Sequence, residues 1–166
     1  QGNGSAPHLA GELFKMIAKV DLRHIPYKEF GQGITDLIGG RVDIFFDAVA
    51  PLRAHLKAGT VRGLATSAAS RSPAAPELPT FIEAGLPDYD MKVWLGVLAP
   101  AHTPASAIAK LNMAVNAAIA APDLQEFATL TNTVYMGGTP EQFASHIDAE
   151  IAKWSRVIKG ANIRLD

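Results

Sequence analysis

From Leu9 onward, apolar residues recur at helical intervals: Leu9, Leu13, Met16 or Ile17, and Val20 share one face at a period of about 3.6 residues. This spacing predicts an amphipathic helix with a buried stripe. Ser5 is a good N-cap for it, and Pro7 falls in the first turn, where a missing N–H is tolerated. Ile34, Leu37 and Ile38 line a second, shorter helix stopped at Gly39-Gly40, and residues 51–57 form a third stopped at Gly59. Thr103-Pro104 opens a fourth, with Ile108, Leu111, Val115 and Ile119 on one face, ending before Pro122. A fifth spans residues 123–130. Thr139-Pro140-Glu141-Gln142 has the capping-box arrangement, and Phe143, Ile147, Ile151 and Trp154 continue one face of a long closing helix.

Short apolar runs lie between these helices and predict strands at residues 24–27, 42–46, 61–66, 91–99 and 134–136. The run at 42–46 is continuous and rich in branched and aromatic residues, as suits a strand covered on both faces. Helices alternating with short strands imply βαβ units, a mainly parallel sheet and an α/β fold. Residues 67–87 break the pattern. Pro73, Pro76, Pro79 and Pro87 punctuate a loop, with one helical turn expected near Phe81, and Pro100 follows the next strand.

Composition narrows the function. At 166 residues the chain is long enough to bury a core, as one domain or one domain plus part of another. Lys and Arg (15) nearly balance Asp and Glu (16) with no basic run, which removes the electrostatic footprint of a nucleic-acid binder. The absence of cysteine excludes disulfides, thiolate catalysis and Cys-based zinc sites. No apolar stretch approaches the roughly 20 residues that cross a bilayer. The first residues also lack the pattern of a secretory signal, so any such signal belongs to a longer precursor.

Candidate chemistry begins at GNGSAPHLAGELF. Unsatisfied N–H groups in a first helical turn, together with the positive end of the helix dipole, hold a carboxylate or phosphate without a charged side chain. Gly2 and Gly4 allow close approach and Ser5 adds a hydroxyl, although Ser5 serves equally as a plain helix cap. Asp47 closes the 42–46 run, at the carboxyl end of a strand where ligands of open α/β sheets lie. Capping the next helix is the alternative role for it. The candidate ligand-binding set is Gly4, Ser5, Ala6, His8 and Asp47.

Other chemistry is weaker. Gly2-x-Gly4 lacks the third glycine of a dinucleotide fingerprint, and no Gly-Lys-Ser/Thr is present. His8 and Glu12 stand four apart, a spacing for two metal ligands, but without a third; no metal and no cofactor is expected. Ser5, His8 and Asp47 could be imagined as a hydrolytic triad, yet Ser5 and His8 share one turn and no Gly-x-Ser-x-Gly occurs. No catalytic residue is assigned. Trp94 and Trp154 are expected in cores.

Several segments together resemble one family: GNGSAPHLAGELF, IPYKEFGQGITDLIGGRVDIFFD, LKAGTVRGLATSAASRS, LPTFIEAGLPDY, WLGVLAPAHTP and TPEQFASHIDAEIAKWSRVIK. In order and over essentially the whole chain, they are similar to the substrate-binding receptors of tripartite tricarboxylate transporters, the Bug family. The resemblance implies a two-lobed periplasmic binding protein, type II-like and not an enzyme. Such a receptor closes on a small carboxylic acid or amino acid and delivers it to membrane transporter subunits. It further implies that residues 2–6 form the carboxylate loop of the second lobe and that Asp47 sits at the family position ending the apolar strand. Glu29-Phe30 departs from the two glycines that commonly follow Pro-Tyr-Lys in the family.

By the same resemblance residues 1–91 form the second lobe and 92–166 the crossing strand and C-terminal helices completing the first. The chain would then be an N-terminally truncated fragment with a possible compensating dimer. A ligand-sensing interaction protein and a small hydrolase are the alternative functions.

Overall fold

The computed structural model describes residues 2–72, 75–131 and 133–164. Pro73 of the proline-punctuated loop lies outside them. The chain divides into two compact units, one of residues 1–93 and 153–166, the other of 94–152. Among the described residues no helix is long and apolar enough to cross a membrane.

The first unit is built around α1 (Ala6–Ala18), followed by α2 (Phe30–Ile38) and α3 (Val49–Lys57). α1 ends because Lys19 turns left-handed (φ 55°), its N–H donating back to the Lys15 carbonyl. α2 closes at Gly39, and Gly40 then takes φ +68°, a conformation that favours glycine. α1 buries His8, Ala10 and Leu13, and its apolar side joins Tyr89, Met91 and Val157 in the core. Phe14, Ile17, Phe46, Phe81, Leu86 and Trp154 pack around this cluster, so Trp154 is core as expected. Of the two residues the pattern left open, Ile17 faces inward with Leu13 and Met16 is exposed; Val20, expected on the same stripe, is exposed as well. The tilted pair of Phe81 and Tyr89, ring centroids 3.9 Å apart, helps define the surface that α1 packs against. The core extends to Val157 in the closing helix, which is 2% exposed.

The second unit holds α4 (Ala105–Ile119), α5 (Pro122–Thr131) and the first part of α6 (Pro140–Gly160). α4 packs against α5. Asn112 and Asn116 both donate side-chain N–H bonds to the Gly138 carbonyl, at 2.9 and 3.0 Å, and the Gly138 N–H returns a bond to Asn116 Oδ1 at 2.9 Å. These bonds tie the turn before α6 to α4. The capping box forms as predicted: Thr139 N–H donates to Gln142 Oε1 (2.8 Å) and Gln142 N–H to Thr139 Oγ1 (3.2 Å). Trp94 meets Phe143 edge-on at 5.8 Å and remains partly exposed, unlike the core residue expected.

The five expected strands require correction. Residues 24–27, 42–46, 61–66, 91–99 and 134–136 form no ladder among the described residues. The isolated parallel bridge between Thr66 and Thr80 remains, made by Thr66 N–H to the Pro79 carbonyl and Phe81 N–H to the Thr66 carbonyl, both 2.9 Å. β-propensity favours an extended backbone, but a strand also needs a neighbour offering N–H and C=O groups in register. The turn expected near Phe81 is present. There Thr80 N–H donates to Glu83 Oε2 (2.7 Å) and Glu83 N–H to Thr80 Oγ1 (3.1 Å).

Candidate functional site

The loop leading into α1 has a definite bonding plan. Gly4 sits at φ +76°, where a side chain would be strained, and this turns the chain so that Ser5 reaches the N-cap position. Ser5 Oγ accepts from His8 N–H at 3.4 Å, while Ser5 N–H donates to the Gly2 carbonyl at 3.2 Å. Gly4 N–H donates to His8 Nδ1 at 3.1 Å. Ala6 N–H, in the first turn of α1, has no protein acceptor among the described residues. Of the amides of Gly4, Ser5 and Ala6, that of Ala6 is therefore the one left without a protein acceptor, at the positive helix end. The Ser5 hydroxyl hydrogen remains available as a second donor.

His8 is 8% exposed and stacks on His24, ring centroids 3.8 Å apart. Because Nδ1 accepts from Gly4, the ring proton belongs on Nε2, which lies 3.9 Å from Glu12 Oε1. Burial holds His8 below the ordinary histidine value of 6.5 despite the opposing pull of Glu12. Burial, and then the neighbouring His8, lowers His24 in the same direction. His24 Nε2 is buried without a hydrogen-bond partner. The Gly4–His8 bond has a sequence signal, a histidine four residues beyond a glycine ahead of a capped helix. The stack has none, since its partners are far apart in the chain and joined through an irregular segment. Among the described residues no cluster of three or more His, Asp or Glu side chains could hold a metal.

Asp47 follows Phe46, whose ring packs against Phe14 of α1 with centroids 5.7 Å apart. Its Oδ1 accepts from Ala48 N–H at 2.7 Å, and its Oδ2 is buried with no partner. The N-cap of α3 is Ala48, so Asp47 stands one residue before the cap and makes no capping bond to the helix. Among the described residues no hydrogen bond links Asp47 to the loop at 2–6. A carboxylate oxygen shielded from solvent and lacking a donor is poised to take a ligand hydroxyl, a ligand ammonium or an ordered water.

Beside His8 and His24, α1 and the extended residues 22–27 and 41–46 enclose a groove of about 320 Å3. Tyr27 and Arg41 also line it. Tyr27 donates to Asp36 Oδ2 at 2.9 Å, and Arg41 bonds Asp36 Oδ1 at 2.6 Å. These bonds, Arg41 foremost, hold the Asp36 carboxyl below its ordinary range.

The family profile described as "Tripartite tricarboxylate transporter family receptor" matches residues 1–163. A protein from the tcbD-tcbE intergenic region of Pseudomonas sp. strain P51 is 39% identical over 158 residues, 95% of this chain and 47% of its own length. Among solved structures, R. palustris Rpa4515 with adipate is 36% identical with a TM-score of 0.75, over 96% of this chain and 54% of that one. MatC from Rhodopseudomonas palustris, with bound malate, is 32% identical with a TM-score of 0.65, over 93% and 54%. This chain thus spans about half the length of these relatives. Its fold is that of the periplasmic binding proteins of this type, here helix-rich, and family members are binding receptors. With the profile matched almost end to end, the chain belongs to the tripartite tricarboxylate transporter receptor family.

Proposed function

We propose that this chain supplies a carboxylate-gripping loop to a periplasmic solute receptor that serves a tripartite tricarboxylate-type transporter. The ligand is a small dicarboxylate, the chemical class of the adipate and malate found in two structural relatives. The observation that carries the reading is the free Ala6 N–H at the mouth of α1, beside the Ser5 hydroxyl. A carboxylate there meets an amide donor and the helix dipole with no cation to desolvate. Gly4 N–H joins the grip once His8 Nδ1 releases it. Asp47, through its unpartnered Oδ2, orients a ligand hydroxyl or a water. The role is capture, not bond breaking: Ser5 and His8 meet through a backbone N–H, so the ring activates no nucleophile.

Replacing Ala6 by proline deletes one amide hydrogen and little else. Ser5 already has the extended backbone (ψ 160°) that a following proline demands, and proline is welcome in a first helical turn. Calorimetric titration with adipate and with malate should show Ala6→Pro weakening binding at least tenfold, about 1.4 kcal/mol, at an unchanged melting temperature. Equal affinity for the two proteins would overturn the reading.

A further inference from the structure

The bond between Gly4 and His8 ties the backbone of the loop to the protonation of one ring. Gly4 N–H donates to His8 Nδ1 at 3.1 Å, so this nitrogen is an acceptor and the ring's proton sits on Nε2. Gly4 is held at φ +76° and Ser5 takes the cap position beside it, so the ring helps to fix the segment that leads into α1. A second proton enters the ring at Nδ1 alone. Two N–H groups would then face each other across 3.1 Å, and the clasp must open.

The surroundings decide where that proton goes. His8 and His24 are stacked 3.8 Å apart, so the pair takes one charge more readily than two. Glu12 directs the charge to His8, for its carboxylate is 3.9 Å from Nε2 and only 10% exposed, where solvent screens the attraction poorly. Lys15 on α1, bound to Glu12 at 3.0 Å, opposes the charge, as does the chain's amino terminus. Arg23, Arg41 and Asp43 line the groove that both rings border. Burial outweighs the pull of Glu12 and holds His8 below the ordinary 6.5, so the clasp is closed at neutral pH. A carboxylate at the loop tips this balance, because an imidazolium beside it is a paired charge and a strong donor.

We infer that His8 is a positioning residue worked by a proton: neutral, it withholds Gly4 N–H from the ligand; charged, it releases that N–H and turns its own Nδ1–H to the ligand carboxylate. This deepens the carboxylate reading and rests on it. Linkage then requires that dicarboxylate binding draw up to one proton into the chain. Affinity rises by up to about tenfold per pH unit as pH falls from the value of His8 in the complex to its lowered value in the free chain.

Two measurements test this. In an NMR titration of the protein alone, the Gly4 amide signal should follow the same curve as the His8 ring carbons. Glu12→Gln, which removes the charge that draws the proton, should move both curves to lower pH together. Calorimetric titration with adipate and with malate, near pH 6.5 in buffers of different ionisation enthalpy, should show proton uptake on binding. His8→Asn offers Gly4 N–H an acceptor that does not titrate, and it should abolish that uptake. A Gly4 amide that ignores the ring's titration overturns the inference, as do curves that part in Glu12→Gln. Binding without proton uptake, or uptake undiminished in His8→Asn, also overturns it and leaves the carboxylate reading standing. If neither acid binds to either protein, the carboxylate reading fails and the inference with it.

Discussion

The rings of His8 and His24 lie face to face, centroids 3.8 Å apart and planes 16° from parallel. This stack tolerates at most one charge, and burial lowers the affinity of both rings for a proton. The unfolded chain binds protons near the ordinary value of 6.5 while the folded chain resists them. Stability from the neutral pair is therefore complete above that value and declines as pH falls below it, through the window down to the lowered folded values. Urea unfolding at successive pH values should show the decline, bounded by about 1.4 kcal/mol per pH unit per histidine. His24→Phe, which keeps the stack without a titrating ring, should flatten the curve; an equally steep curve would contradict this origin.

Ser5 caps α1 through His8 N–H. Ser5→Ala should destabilise the protein by about 1 kcal/mol, and Ser5→Gly by only a few tenths. Chemical denaturation of the two variants side by side checks the ordering. Indistinguishable midpoints would mean that the 3.4 Å bond contributes nothing.

Asp47 has one carboxylate oxygen on Ala48 N–H and one buried and unpartnered. Asp47→Ala should weaken dicarboxylate binding about tenfold, near 1.4 kcal/mol, with almost no shift in melting temperature. Titration calorimetry paired with a thermal scan distinguishes the roles. A large thermal loss at intact affinity would assign the side chain to the architecture of the turn.

Tyr89 is buried and donates its hydroxyl to the Ala10 carbonyl at 3.1 Å. Tyr89→Phe should cost about 1 kcal/mol, the net worth of one hydrogen bond. Burial also pushes the phenol well above its ordinary value of 10.0. The fold favours the neutral form, so this stabilisation is present below pH 10 and is lost as pH rises beyond it. Alkaline unfolding followed by tyrosinate absorbance should lose one late-ionising group in Tyr89→Phe.

Leu13 is 5% exposed at the centre of the core cluster. Leu13→Ala should destabilise by about 2–5 kcal/mol, the transfer loss plus a cavity. Met16→Ala, one turn away on an exposed position, should change stability by less than about 0.5 kcal/mol. Denaturation midpoints that reversed this order would show that Met16, and not Leu13, is the buried residue of this face.

Much of the helical architecture was legible because its determinants are local. The capping box at Thr139 and Gln142 closes within one turn, and the glycines after α2 and α3 stop them by freeing the backbone. The choice between Met16 and Ile17 stayed open, and Val20 was misplaced, because a periodic pattern identifies a stripe only to within a residue or so. The partners Phe81, Tyr89, Met91 and Val157 select which edge is buried. The strands were misread for a different reason: residues 24–27 and 42–46 carry β-forming side chains, but a ladder belongs to pairs of segments and not to one.

In the candidate site, the Ser5 cap could be read from residue type and position, whereas the uses of His8 and Asp47 could not. His8 contributes its ring nitrogen to Gly4 and its face to His24, and Asp47 stands one residue before the N-cap of the helix it was an alternative cap for.

The sequence by itself determined the family, the main helical segments and the capped glycine loop, because each is written in neighbouring residues or in ordered segments shared with relatives. Only the tertiary structure decided which face of α1 is buried, which amide of the loop remains open, and which extended segments are left unpaired. Those outcomes depend on contacts between residues distant in the chain, where competing partners of similar chemistry are chosen by space and not by spacing.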